Sequence, residues 1–347
     1  MSDRRKILIT GITGQDGAYL ASQLLEKGYE VFGGVRRTSV ANVSRLKSLG
    51  IGEKIKLVPI ELMETGNIIR VLEKIEPDEV YNLAAQSFVG VSFEHPVLTS
   101  EVTAIGALRI LEAIRTVNKK IKFYQASSSE MYGNTEESPQ DEKTHFKPAS
   151  PYAIAKVFAY WTTVNYRESY GIFACNGILF NHESPLRGEE FITRKISIAV
   201  AEHFINPNSN KVLEVGNLDA KRDWGYAPEY TEAMFKMLQK DTPSDYVIAT
   251  GENHSVREFI EVAYKTIGID IVWKGKGKDE VGLDKKNNKT LIKVSEAYLR
   301  PSDVNYLVGN YSKSKRELGW EPKTRFNELV KIMVNADIEN LKNKTKN

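Results

Sequence analysis

The chain has little that would tie it to an oxidising compartment, a membrane or a polyanion. Among its 347 residues there is one cysteine, Cys175. A single thiol closes no intramolecular disulfide and builds no thiolate zinc site, and such usage fits a reducing compartment. No apolar run approaches the roughly 20 residues that span a bilayer. Arg4-Arg5-Lys6 is followed by only Ile7-Leu8-Ile9-Thr10 before Gly11, too short for the core of a secretory signal. A cytoplasmic location with no membrane attachment is therefore expected. Charge of one sign is also missing: 48 basic and 45 acidic residues leave a net +3, which gives no footprint for nucleic acid. The five histidines, at 95, 145, 182, 203 and 254, share no ligand spacing, so no metal is expected. There is no internal repeat and no low-complexity block.

What is present is ample apolar material, 41% of the chain, enough for a sizeable core and about two domains. Short apolar runs at Lys6–Thr10, Glu30–Val35, Lys56–Ile60, Glu79–Leu83, Lys122–Ala126 and Phe173–Leu179 read as strands. Segments with 3.6-residue spacing lie between several of them, at Ala18–Lys27, Ile68–Ile75 and Ile105–Val117. This alternation predicts an α/β fold with a doubly wound parallel sheet of the Rossmann type. After about residue 181 helical patterns at Phe191–Phe204, Pro228–Leu238, Ser255–Ile267 and Phe326–Leu341 are joined by polar connections. The expected division is 1–180 for a dinucleotide domain and 181–347 for a smaller α/β substrate domain, with chain crossing between them. Lys274–Lys289, rich in lysine, reads as an exposed excursion, and Asn340–Asn347 as a frayed tail.

Directly after the first strand comes Thr10-Gly11-Ile12-Thr13-Gly14-Gln15-Asp16-Gly17, opening a helix. Gly11 permits a tight turn, Gly14 lets backbone approach a pyrophosphate, and Gly17 lets the helix pack on the sheet, with the diphosphate at the helix N-terminus. The second strand runs into Arg36-Arg37 rather than an acidic residue. Two guanidiniums suit a 2′-phosphate and leave no acceptor for a ribose hydroxyl, which favours NADP over NAD; plain surface charge is the alternative.

Ser150-Pro151-Tyr152-Ala153-Ile154-Ala155-Lys156 places Tyr152 and Lys156 one helical turn apart. An ammonium beside a phenol is expected to lower the phenol's pKa. Upstream, a strand ends in Ser127-Ser128-Ser129-Glu130. Extended backbone would point Ser128 and Glu130 to one side. Hydride transfer needs only the hydroxyl, Tyr and Lys. The carboxylate adds a group able to take a proton from carbon and deliver it to a leaving hydroxyl. A helix-capping or surface role for Glu130 is the alternative.

The GxxGxxG spacing and the YxxxK pair resemble the extended short-chain dehydrogenase/reductase superfamily. Across nearly the whole chain, through GITGQDGAYL, NLAAQSFVGVSF, FYQASSSEMYG, SPYAIAK, NGILFNHESPLRG, GNLDAKRDWG and LRPSDVNYLVGNYSKSKRELGW, the sequence resembles the GDP-mannose 4,6-dehydratase family. The resemblance implies an NADP-dependent hydro-lyase acting on a GDP-sugar, with Ser128, Glu130, Tyr152 and Lys156 catalytic. It implies cofactor contacts from Gly11, Thr13, Gly14, Gln15, Asp16, Gly17, Arg36, Arg37, Glu61, Leu62, Leu83, Ala85, Ser87, Tyr152, Lys156 and His182. Substrate contacts are implied for Ser87, Glu130, Asn181, Arg187, Lys195, Gly216, Arg222, Arg300 and Asp303, where each cation has a structural salt bridge as its alternative. A homotetramer or homodimer is implied as well, the loop Arg36–Asn42 reaching a neighbouring subunit. Departures from the family pattern are Ser128 for the usual threonine, Glu61-Leu62-Met63-Glu64 for DLTD, Asp303 for glutamate, and Leu186 where some members carry arginine. A GDP-manno-heptose as substrate, or reduction of a GDP-4-keto-6-deoxysugar, are the alternative activities.

Overall fold

The computed structural model describes residues 5–37, 42–298 and 306–344. Six strands follow the sequence pattern closely: β1 (Lys6–Thr10), β2 (Glu30–Val35), β3 (Lys56–Pro59), β4 (Glu79–Asn82), β5 (Lys122–Ser128) and β6 (Ala174–Leu179). They are largely apolar because both faces of the sheet are covered: every residue of β4 and of β6 is buried. A seventh strand, Tyr246–Ile248, returns from beyond residue 180 to pair with β6. The order is Tyr246–Ile248, β6, β5, β4, β1, β2, β3, and all pairings are parallel.

The two faces carry separate cores. Helix α1 (Gln15–Glu26) and helix Ala227–Leu238 pack together on one, where Leu20, Leu24, Met234, Met237 and Trp320 are buried against the sheet. Helices Thr65–Ile75 and Gly106–Val117 cover the other through Ile68, Leu72, Ile110, Leu111 and Ile114. Helix Pro151–Tyr170 packs beside them.

A third core lies outside the large sheet. Helices Ile192–Ile205, Val256–Thr266 and Phe326–Lys344 enclose Ile196, Phe259, Ile260, Leu329 and Met333 against Leu213, Val215 and Ile292. These last three belong to a four-stranded sheet ordered Ile271–Lys274, Val281–Asp284, Thr290–Val294, Leu213–Val215.

Two expectations are corrected here. Lys274–Lys289 is not a plain excursion, since Val281–Asp284 is an inner strand of that sheet with Gly282, Leu283 and Asp284 buried. Its partners lie on both sides in the chain, so cross-strand pairing outweighs its polar composition. The C-terminal helix continues through Asn340 to Lys344, where the composition suggested fraying; its buried positions Val330, Val334 and Ile338 recur every four residues and anchor it.

Candidate active site

All the strands of the large sheet point the same way, so their carboxyl ends share one edge. Between β1 and β4 the chain order reverses, and at such a switch point the connections diverge to leave a crevice. A cleft of about 910 Å³ opens there, running from the glycine turn to the smaller core.

The turn after β1 is built for close approach. Gly11 has φ +71°, and a Cβ there would stand 2.8 Å from the backbone nitrogen of Ala84. At Gly17 a Cβ would lie 2.4 Å from the Gly11 carbonyl oxygen. Gly14 is the N-cap of α1 and offers no side-chain cap, so the first-turn N–H groups are left for an anion. This cradle fits a dinucleotide diphosphate.

Asp16, in the first turn of α1, would oppose an anion were it unpaired. His182, carried by the strand Asn181–Glu183, meets it: Nε2 lies 2.8 Å from the Asp16 carboxylate, while Nδ1 lies 2.7 Å from the Phe180 carbonyl oxygen. Burial pushes the Asp16 pKa up, but the imidazole charge and the hydrogen bonds from His182 and Gln15 outweigh it and hold the carboxyl below its usual value. Burial likewise pulls His182 down, and the Asp16 charge reverses this to a net rise.

Catalytic-type side chains arrive from two elements. Ser150 caps helix Pro151–Tyr170, its Oγ accepting from the Ala153 N–H at 3.1 Å, with Pro151 at the first helical position. Tyr152 and Lys156 then fall one turn apart, both buried. The Lys156 ammonium donates to the Ala126 carbonyl of β5 at 2.6 Å. From the end of β5, Ser128 lines the same cleft as Tyr152, and its hydroxyl acts to lower the phenol's pKa. The backbone beyond Ser128 is not extended as the two-residue spacing suggested. Residues Ser129–Met131 form a 3-10 turn, capped by Ser128 Oγ accepting from the Glu130 N–H at 3.2 Å. Glu130 reaches the cleft by that turn and lines it with Ser128, Tyr152 and Lys156.

The phenol differs from expectation. Burial pushes Tyr152 up to about 12, with the Ser128 hydrogen bond acting in the opposite direction. Lys156 does not lower it: Nζ stands 5.7 Å from the ring centroid, engaged by Ala126, and burial brings its own pKa down to about 8.

Of the other residues singled out in the sequence, Leu83, Ala85, Ser87, Asn181, Arg187, Lys195, Gly216 and Arg222 line the cleft, together with Gly11, Gly14, Gln15, Asp16, Gly17 and His182. Lys195 Nζ lies 3.3 Å from the centroid of Tyr298, and Arg222 is buried with Nη1 donating to the Lys221 carbonyl at 2.8 Å. Thr13, Arg36, Arg37, Glu61 and Leu62 do not line it. Arg36 and Arg37 are exposed just past β2, Glu61 accepts from the Met63 N–H, and Leu62 is buried against Gly106. Residues 38–41 of the Arg36–Asn42 loop, Arg300 and Asp303 lie outside the described residues.

Several lining residues escaped the sequence reading, among them Arg45, Phe88, Glu183, Phe191, Thr193 and Tyr298. Arg45 donates from Nε to the Leu186 carbonyl at 2.7 Å and from Nη1 to the Thr13 carbonyl at 3.1 Å, joining the glycine turn to the segment after His182. No local motif signals it, because both partners are distant in the chain or offer only backbone.

The Asp16–His182 pair generates a pH prediction. A raised His182 pKa contributes stability fully below the ordinary histidine value of about 6.5, lost as pH rises through the folded pKa. A lowered Asp16 pKa contributes above the ordinary aspartate value of about 3.9, lost as pH falls through the folded pKa. The wild-type melting temperature should therefore exceed that of His182→Gln most between about pH 4 and 6.5, the gap narrowing above that range. A gap that grows from pH 6 to 9 would contradict the pairing.

Comparison with known proteins agrees with this geometry. The model of the family described as GDP-mannose 4,6 dehydratase matches residues 8–333. A Drosophila melanogaster GDP-mannose 4,6 dehydratase is 52% identical over 340 residues, covering 96% of this chain and 86% of its own length. A Vibrio cholerae GDP-mannose 4,6-dehydratase is 51% identical over 354 residues, covering 97% of this chain and 94% of its own. Among solved structures, a UDP-glucose 4-epimerase from Thermotoga maritima shares the fold with a TM-score of 0.80 at 23% identity, over 97% of this chain and 99% of that one. Such identity over nearly the full length places the chain in the GDP-mannose 4,6-dehydratase family.

Proposed function

We propose that this chain converts GDP-mannose to GDP-4-keto-6-deoxymannose with NADP as cofactor, using Ser128, Glu130, Tyr152 and Lys156 for the chemistry. As a member of its family it is a nucleotide-sugar 4,6-dehydratase, a hydro-lyase of deoxysugar biosynthesis. The observation that carries the residue assignment is Glu130, a carboxylate that simple hydride transfer does not need, lining one cleft with Ser128, Tyr152 and Lys156.

Bound NADP supplies hydride acceptance at C4 and hydride return at C6, so it ends in the oxidation state in which it began. Its diphosphate would fit the Gly11–Gly17 turn and the N-terminus of α1, with Thr13 and Gln15 beside it and Asp16 neutralised by His182. Arg36 and Arg37 would take the 2′-phosphate and Glu61 and Leu62 would flank the adenine side, all four beyond the cleft lining, while Leu83, Ala85, Ser87 and Lys156 would face the nicotinamide half.

In the reaction Tyr152, as its phenolate, accepts the proton of the C4 hydroxyl while Ser128 hydrogen-bonds the same oxygen. Burial, which pushes the phenol up to about 12, opposes that phenolate, and the Ser128 hydroxyl acts in the opposite direction. The C4 ketone makes the C5 proton acidic, and Glu130 takes it. Glu130 then returns that proton to the C6 hydroxyl, which leaves as water, and with hydride return at C6 a proton comes back to C5, matching the one Tyr152 took from the C4 hydroxyl. Of the charged groups in the substrate half, Arg187, Lys195 and Arg222 line the cleft and would face the GDP diphosphate, while Asn181, Gly216 and Ser87 would contact the sugar and nucleoside; Arg300 and Asp303, outside the described residues, are assigned to the same substrate by the family resemblance alone. Residues 1–180 thus serve mainly the cofactor and 181–347 mainly the GDP-sugar. No described helix is long and apolar enough to cross a membrane, and the lone thiol Cys175 is buried, consistent with work in the cytoplasm.

The protein acts as a homo-oligomer on this reading. On helix Pro151–Tyr170 the exposed Ile154, Phe158 and Trp161 recur at helical spacing, and Val97 and Leu98 are exposed on the adjoining turn Pro96–Thr99. Such an apolar face, directly behind Tyr152 and Lys156, suits a second copy of the chain. Arg36–Asn42 would extend a dimer to a tetramer.

Incubation with GDP-mannose and catalytic NADP+, without added reductant, should give a product lighter by one water; a requirement for stoichiometric NADPH would sink the dehydratase assignment in favour of a reductase. Ile154→Glu with Trp161→Glu should shift the sedimentation coefficient to that of a monomer. A wild-type chain already monomeric at micromolar concentration with full activity would contradict the oligomer.

A further inference from the structure

The proposed mechanism makes no use of Glu183. It ends the strand Asn181–Glu183, pairs across to Tyr226, and is 1% exposed. A buried carboxylate requires partners, and Glu183 has two. Its Oε2 accepts from Thr193 Oγ1, and the same oxygen lies 3.2 Å from Arg187 Nε. The guanidinium carbon of Arg187 stands 3.6 Å from the centroid of the Phe191 ring, and Phe191 meets Phe88 edge to face at 5.6 Å. Arg187 is thus ion-paired with Glu183 on its Nε side, where Nε itself is buried without an aligned hydrogen bond, and stacked on the other. None of the described residues accepts a hydrogen bond from its Nη atoms, and Glu183, Arg187, Phe191 and Thr193 all line the cleft.

Taken together, the geometry points to Glu183 as a positioning residue that fixes Arg187 by its Nε edge, so that the two Nη atoms meet a diphosphate in the cleft. A guanidinium pairs bidentately with phosphate only when its plane is set, and an arginine free to rotate loses that advantage on binding. The Thr193 hydroxyl fixes Glu183 in turn, and the Phe191 face fixes the plane. The inference rests on the reading of the cleft as a site for a GDP-sugar and NADP, each of which carries a diphosphate.

The test uses the full-length enzyme with two non-reacting probes, GDP added to the NADP-loaded protein and NADP+ added to the protein alone, beside turnover of GDP-mannose. Glu183→Gln keeps the shape and an acceptor for Thr193 but removes the charge on Nε. It should raise the GDP dissociation constant and the KM for GDP-mannose by about ten-fold, as expected when a buried guanidinium loses its ion-pair partner, with kcat within about two-fold. Arg187→Ala should do the same, and the double variant should be no worse than Arg187→Ala alone, because the two act as one unit. If the loss appears for NADP+ instead, the diphosphate is the cofactor's and the positioning role stands. If Glu183→Gln does not fold, Thr193→Val replaces it, with a smaller loss of the same kind. Affinities for both probes unchanged within two-fold, or effects that multiply in the double variant, overturn the proposal. Should GDP-mannose not be dehydrated at all, the GDP and NADP+ arms still decide the Glu183–Arg187 coupling, so the two readings fail separately.

Discussion

The Lys156 ammonium donating to the Ala126 carbonyl at 2.6 Å joins the two elements that carry the proposed catalytic residues. It ties the first turns of helix Pro151–Tyr170 to the end of β5, the strand that delivers Ser128. With the helix start fixed by the Ser150 cap and Pro151, Tyr152 is buried in the cleft that Ser128 also lines. The bond also keeps a buried ammonium satisfied, which a dry interior would otherwise penalise. The proposed catalytic group thus inherits its geometry from a β5 strand whose residues Phe123–Ser127 are buried.

Charge in the cleft is handled in pairs. Asp16 is matched by His182, and Glu183 by Arg187, each pair carried by the strand Asn181–Glu183 or the loop just after it. Arg45 then stitches that loop to the glycine turn through two carbonyls. The floor of the cleft is therefore one connected piece linking the cofactor turn to the substrate half. Packing reinforces it: His182 stacks on Tyr230 at 4.7 Å, and Tyr230 meets Trp320 edge to face in the core beneath.

How far the sequence discloses this follows from the range of each interaction. The glycine turn, the Ser150–Lys156 segment and six of the seven strands of the large sheet carry local signals and are legible, whereas Tyr246–Ile248 joins that sheet only through its pairing with β6. The inner strand Val281–Asp284 is not legible either, because its partners Ile271–Lys274 and Thr290–Val294 decide it and the lysine-rich segment around it offers only Val281 and Leu283 as apolar signal. The 3-10 turn at Ser129–Met131 hides behind a strand-like run of serines. Glu183 and Arg45 matter through contacts fixed only when distant segments meet. The phenol of Tyr152 is the sharpest case: spacing suggested an ammonium lowering its pKa, whereas burial dominates and Lys156 is committed to Ala126.

At the centre of this account is a division of proton work, with Tyr152 acting at the C4 oxygen and Glu130 between C5 and C6. Exchange of the substrate's C5 hydrogen with deuterated solvent, followed together with NADPH absorbance in single turnover, separates the two roles. Glu130→Gln should still form reduced cofactor but show no C5 exchange, with overall turnover down by roughly 10²–10⁴-fold. Tyr152→Phe should form neither reduced cofactor nor exchanged substrate. Near-normal dehydration or persistent C5 exchange in Glu130→Gln would contradict the account.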